Sequence, residues 1–257
     1  MKQRLPLPII VTLIILIVIP CSVFYVCGPR FVDDAIIKHD VSGVNRLLTL
    51  APWLARGTAV GFKLGYERPL LLASYYGDLP IAELLIKKGA HIHGKNDLGL
   101  TAIHMAAGKG HIQVAELLVS HGADVNSRDD DDTTPLHKAA GEGATAMVEY
   151  LISKGATVDA RNSAGLTPLH WTVIGTHRET ARLLIRNGAN INAASNDGDT
   201  PLHFASEDGR LKMAELLVSE GALVNGRNGA GKTPLARALE KKQMTVAAYL
   251  LAHGAQK

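Results

Sequence analysis

The 257-residue sequence predicts an all-α repeat solenoid preceded by one N-terminal transmembrane helix. Three observations carry that prediction. Thr recurs every 33 residues at Thr101, Thr134, Thr167, Thr200 and Thr233; Pro follows four of these, and His104, His137, His170 and His203 stand three places on. Gly122, Gly155, Gly188 and Gly221 keep the same interval. Residues 5–27 contain no charged side chain. A fixed period of this length marks a stack of small units, none of which can bury its apolar face alone.

The apolar segment comes first. At about 1.5 Å per residue, its roughly 20 apolar residues reach ~30 Å, the thickness of a bilayer core. Lys2 and Arg4 precede it, whereas Arg30 and Lys38 behind it are offset by Asp33 and Asp34. That bias predicts a single-pass protein with its N-terminus cytoplasmic and the rest periplasmic or otherwise extracytoplasmic. The alternative is a cleaved signal peptide, with Ile9–Ile19 as its apolar core and a secreted or periplasmic product. No Ala-x-Ala cleavage site follows that core, and Pro20 weakens the likeness of the residues before Cys21 to a lipoprotein box.

Residues 29–65 read as a shortened unit followed by an insertion. Ala35 aligns with Ala106 at 71 residues rather than 66, which places five extra residues in the stretch Trp53–Gly65. From residue 66 the units are regular. Thr offers a helix cap, Pro fits the first helical position, and Leu136, Leu169 and Leu202 turn to the core. Small pairs such as Ala106–Ala107 let the next helix approach, and Gly110, Gly143 and Gly209 stop the short first helix. A second helix follows with an apolar stripe, for example Val114, Leu117 and Leu118. Gly-Ala-x-Val-Asn then leads into a turn that reaches the next Thr.

This unit resembles the ankyrin repeat. The resemblance covers roughly residues 29–257 and rests on the repeated Thr-Pro-Leu-His motif. It divides the chain into an anchor or signal segment (1–28), a capping half-repeat with an inserted loop (29–65) and six repeats (66–257). It implies helix-turn-helix units with short β-turn fingers, and a non-enzymatic scaffold that binds a protein partner on its concave face. In the first full repeat Leu71 replaces His. In the last, Ala236 does so, with Lys241 and Lys242 after the first helix in what reads as a polar end cap.

Composition narrows the function further. After residue 28 the chain holds 25 basic and 24 acidic residues, a balance that gives no electrostatic case for nucleic acid. Both cysteines, Cys21 and Cys27, fall in the apolar segment, so the repeats need no disulfide. Gly226–Thr233 matches the phosphate-cradling pattern Gly-x4-Gly-Lys-Thr, but Pro234 and the repeat register make it a turn. The periodic histidines read as ties between helix and turn. His91 and His93 are too few to hold a metal, and Asp129–Asp132 lacks the spacing of a calcium loop. The sequence therefore predicts no cofactor, no metal, no catalytic residue and a monomer.

Mapped by the resemblance, the concave face takes its finger residues from positions just before each Thr and its helix residues from positions just after the small pair. The fingers give Leu98, Leu100, Asp130, Asp131, Thr133, Leu166, Asp197 and Asp199. The helices give Tyr75, Tyr76, Lys109, Glu142, Trp171, Ile174, Glu207 and Asp208. Leu98, Leu100, Leu166, Trp171 and Ile174 read as an apolar centre, with Trp171 open to two readings: a partner anchor, or packing between repeats. The acidic remainder predicts a partner with a basic rim.

Overall fold

The computed structural model describes residues 32–51, 54–55 and 69–256. The predicted membrane segment, residues 5–27, lies outside the described residues, as does most of the predicted insertion. Among the described residues no helix is long and apolar enough to cross a membrane.

Fourteen helices appear among these residues, and no strand. Helix α1, described over 32–37, and α2 (Val41–Leu50) form the first pair. The next pairs are α3 (Pro69–Tyr76) with α4 (Leu79–Lys87), α5 (Ala102–Lys109) with α6 (Ile112–Ser120), and α7 (Pro135–Gly141) with α8 (Thr145–Ser153). Then come α9 (Pro168–Gly175) with α10 (Arg178–Arg186), α11 (Pro201–Glu207) with α12 (Leu211–Ser219), and α13 (Pro234–Glu240) with α14 (Met244–Ala252).

From α3 on, odd-numbered helices pack on odd and even on even, which gives two helical layers. The core between them is the periodic set seen in the sequence: Leu136, Leu169 and Leu202 from first helices, Leu118, Leu151 and Leu184 from second helices, all buried. Each pair turns through a residue with positive φ, the region where a side chain is strained and Gly is not. Gly77, Gly110, Gly143 and Gly209 hold that place; His39 (φ 54°), Thr176 (φ 66°) and Lys242 (φ 59°) hold it in the other three pairs.

Two further periodic devices join neighbours. Each finger donates one backbone hydrogen bond to the finger before it: Asp130 to Leu98, Ser163 to Asp131, Asn196 to Ala164 and Gly229 to Asp197, at 2.8–3.1 Å. Below the fingers, the carboxamide of Asn126 grips the next unit at both Gly155 O and Thr157 N. Asp159, Asn192 and Asn225 repeat the grip on Asn190, Leu223 and Gln256. At the N-terminal end, His39 Nδ1 meets Asp78 Oδ2 at 2.7 Å and ties the first pair to the second.

Candidate protein-interaction face

The Thr-Pro-Leu-His motif builds the frame of this face. In four repeats Thr and His bond reciprocally across the helix start, a capping box in which His takes the place of the usual Glu or Gln. His137 Nδ1 lies 3.2 Å from the Thr134 N–H, while its Nε2 lies 3.0 Å from the Leu166 carbonyl of the next unit. A carbonyl can only accept, so Nε2 carries the proton and Nδ1 is bare to receive the Thr amide. His104, His170 and His203 repeat this on Thr133, Asp199 and Lys232. Burial disfavours the charged ring: His137 and His170 are held down at about 4, and His104 and His203 are lowered in the same direction. At Thr233, where Ala236 replaces His, the hydroxyl caps the Ala236 N–H directly at 3.2 Å.

This riveting corrects the predicted site. From Thr134 on, the residue just before each Thr supplies the carbonyl that the preceding His grips, so its backbone is drawn under the finger. Thr133 is only 2% exposed and Asp199 only 7%, and neither offers a partner a surface. Asp199 is further occupied by Asn228 Nδ2 at 2.7 Å and by Arg237 at 3.6 Å. Leu100 and Leu166, in the same column, are half-buried.

Trp171 is half-buried as well. Its ring lies across Gly141, where a Cβ would come within 2.7 Å of Cε3, and meets His137 edge-on at 5.8 Å. Lys138 sits over the ring at 5.4 Å. Trp171 thus packs between α7 and α9, and its Nε1 is buried with no hydrogen-bond partner.

The apolar groups that do face solvent are Tyr75, Tyr76, Leu98 and Ile174. Tyr75 and Tyr76 stack edge-to-face at 5.2 Å, and Lys109 lies over Tyr75 at 4.8 Å. Between Tyr75 and Ile174 the same helical column holds Gly108 and Gly141; the Trp171 ring covers Gly141, and the wall of side chains drops away at Gly108. A shallow depression of about 450 Å³ opens beside Gly108, lined by Lys109, Glu142, Thr145 and Met147 among others. Sequence reasoning missed this gap. Its signal was two successive Gly residues in a column that otherwise holds Tyr, Ile and Glu.

The acidic rim divides in two. Glu207 pairs with Arg237 and, at 3.0 Å, with Lys241; Asp208 pairs with Arg210 at 3.0 Å. These carboxylates are neutralised within the chain. Asp130, Asp131, Glu142 and Asp197 are exposed and form no ion pair among the described residues. Asp130 and Asp131 share the finger bonded to Leu98, Glu142 lines the depression together with Lys109, and Asp197 lies two fingers further on.

The remaining motifs have structural duties. Asp129 is buried; its carboxylate accepts from the Asp131 and Thr133 amides and holds Lys138 at 3.4 Å, while Asp132 pairs with Arg128. Gly226–Thr233 forms a finger closed by Asn228 and Lys232, and Lys232 Nζ is taken by Glu240 at 2.7 Å. His91 and His93 are exposed, and among the described residues no group of three or more His, Cys, Asp or Glu converges on one point.

A stacked array of helix pairs with Thr-His rivets and β-turn fingers defines a repeat-type interaction module. The chain matches the family described as Ankyrin repeats (3 copies) over residues 70–162, 130–195, 157–228 and 194–257, and so it belongs to the ankyrin repeat family. A search of curated proteins finds no match. Ankyrin repeats generally mediate protein–protein interaction, and nothing in the family assignment points to catalysis.

Proposed function

We propose that the chain is a non-enzymatic docking scaffold, tethered to a membrane by one apolar helix at residues 5–27, whose repeats hold a protein segment against the first-helix face. The observation that carries the reading is one of adjacency. Exposed Tyr75 stacks on Tyr76 and lies under Lys109, which with Glu142 lines the depression beside Gly108, and exposed Leu98 is bonded to the finger that carries the unpaired Asp130 and Asp131. Aromatic and aliphatic anchors beside uncompensated charge suit a segment with apolar side chains flanked by Lys or Arg. The charge bias around residues 5–27 supports a cytoplasmic N-terminus, with the repeats across the membrane.

Photo-crosslinking in intact membranes tests this. A crosslinker at Tyr76 and another at Ile174 should trap the same protein, and one at Glu116, on the opposite layer, should not. Combining Leu98→Ser with Ile174→Ser should reduce the trapped product at least tenfold. Equal trapping from Glu116 would reject the face. The second reading, release by signal cleavage, rests on Lys2 and Arg4 ahead of the short apolar core Ile9–Ile19. A mature chain lighter by about 20–28 N-terminal residues would replace the tether with secretion.

A further inference from the structure

The backbone ladder that joins the fingers is open at its first described step. Asp130, Ser163, Asn196 and Gly229 share one register position, and each donates its N–H to the finger before it. Asp97 holds the same position one period earlier, yet its N–H has no acceptor among the described residues. Leu98 beside it is 65% exposed. The carboxylates of Asp97, Asp130 and Asp131 are exposed and form no ion pair among the described residues. A free backbone donor, an apolar side chain and three unpaired carboxylates thus share one edge. Such an edge is a template for an extended chain.

The sequence holds a segment of matching chemistry close by. Residues 56–68, outside the described residues, run from Leu54 and Ala55, both 3% exposed, to the buried Pro69. Pro69 opens α3, which packs on α5, the helix that the Leu98 finger enters. A regular finger is closed by Asn96, whose carboxamide accepts from the Leu98 and Leu100 amides, and by Gly99 at φ 73°. One period earlier those places hold Lys63 and Tyr66, so the residues that close a finger are missing. Instead Val60, Phe62, Leu64 and Tyr66 alternate with Gly61, Lys63 and Gly65. That alternation gives an extended chain one apolar side. Arg56, Lys63 and Arg68 outnumber Glu67, so the segment is positive where the finger edge is negative.

We infer that residues 60–66 lie extended along the Leu98 finger as an intramolecular occupant of that end of the docking face. A carbonyl of the segment accepts from the Asp97 N–H and continues the ladder. Its apolar side covers Leu98, and Arg56 and Arg68 answer the carboxylates of Asp97, Asp130 and Asp131. Thirteen residues span up to about 43 Å when extended, and helices of neighbouring units pack about 8–10 Å apart, so the reach is ample. Tethering at both ends gives the segment an effective concentration on the order of millimolar, ahead of a free partner making equal contacts. The inference deepens the docking reading and rests on it for its consequence. The partner drawn there, apolar and flanked by Lys or Arg, has the chemistry of residues 56–68 and competes with them at Leu98. Its apparent affinity is lowered by the fraction of chains in which the edge is already taken.

Disulfide mapping on the full-length chain tests this, in a Cys21→Ser, Cys27→Ser background. Leu98→Cys is combined with one of Val60→Cys, Phe62→Cys, Leu64→Cys or Tyr66→Cys, or with one of Gly61→Cys, Lys63→Cys or Gly65→Cys. A disulfide needs Cα atoms within about 7 Å. The fastest apolar position should close an intrachain bond at least tenfold faster than the fastest of the alternate three. Asp130→Lys with Asp131→Lys should slow that closure at least threefold. Leu98 is exposed, so the reduced chains should keep the wild-type helical spectrum. Equal rates from the two sets overturn the inference, because the segment then has no fixed side to the finger. Closure that ignores the two Lys substitutions overturns it as well. A product that is mainly linked dimer does so too, and assigns the edge to a second copy. Partner trapping from Tyr76 and Ile174 is a separate readout: its loss with the alternation intact rejects only the docking reading, and the reverse result rejects only this one.

Discussion

The junction between the α3–α4 pair and the α5–α6 pair differs from the four junctions that follow it. Each of the four has a His rivet from first helix to next finger and an Asn or Asp grip on the next unit. At the earlier junction Leu71 stands where His would be, and His93 stands where Asn126 does one unit later, with no hydrogen bond of its own among the described residues. What polar tie remains is His111 Nε2 on the Tyr75 carbonyl at 3.1 Å. Apolar stacking is similar on both sides of this divide, since Leu70, Leu71, Ile81 and Leu85 are buried as fully as their counterparts. The lesson is that packing makes the stack, while the periodic polar residues decide how firmly each unit is bound to the next.

Acid should break the contrast most strongly. His137 and His170 bind protons at about 4 in the fold and near 6.5 when unfolded, so the unfolded chain takes up protons first as pH falls. Their contribution is whole above pH 6.5 and is lost between 6.5 and about 4, on the order of 3 kcal/mol for each ring. Hydrogen exchange at pH 7 and pH 4.5 should show protection collapsing in α5–α12 and changing far less in α3–α4. Uniform loss along the chain would contradict the assignment. A narrower break is His137→Ala, which strands the Thr134 amide and the Leu166 carbonyl and should cost about 2–4 kcal/mol in equilibrium urea unfolding. The smallest change sharpens the comparison from the other side. His93→Asn supplies the missing grip and should stabilise the α3–α4 pair by about 0.5–1 kcal/mol, read as slower exchange there.

Much of this frame was legible in the residues. Thr, His and the turn Gly recur in register with a fixed spacing, so one physical role explains each column. The candidate face was less legible, because exposure depends on what the neighbouring unit does. Thr133 and Asp199 look like finger residues in sequence, but the carbonyl of each is held by a His 29 positions earlier. The pairing of Glu207 with Arg237 and Lys241 spans two units and leaves no local pattern. The opening at Gly108 was hidden for the opposite reason. Glycine was credited with turns, and its other effect, removing a wall, shows only when adjacent helices are set side by side.

The fingers are linked by one backbone bond at each step, and that thrift has a mechanical consequence. A pull delivered from the N-terminal side meets the loosely fastened α3–α5 boundary before any riveted one. The stack should therefore yield there first, letting out slack from α1–α4 while α5–α14 stays assembled under load.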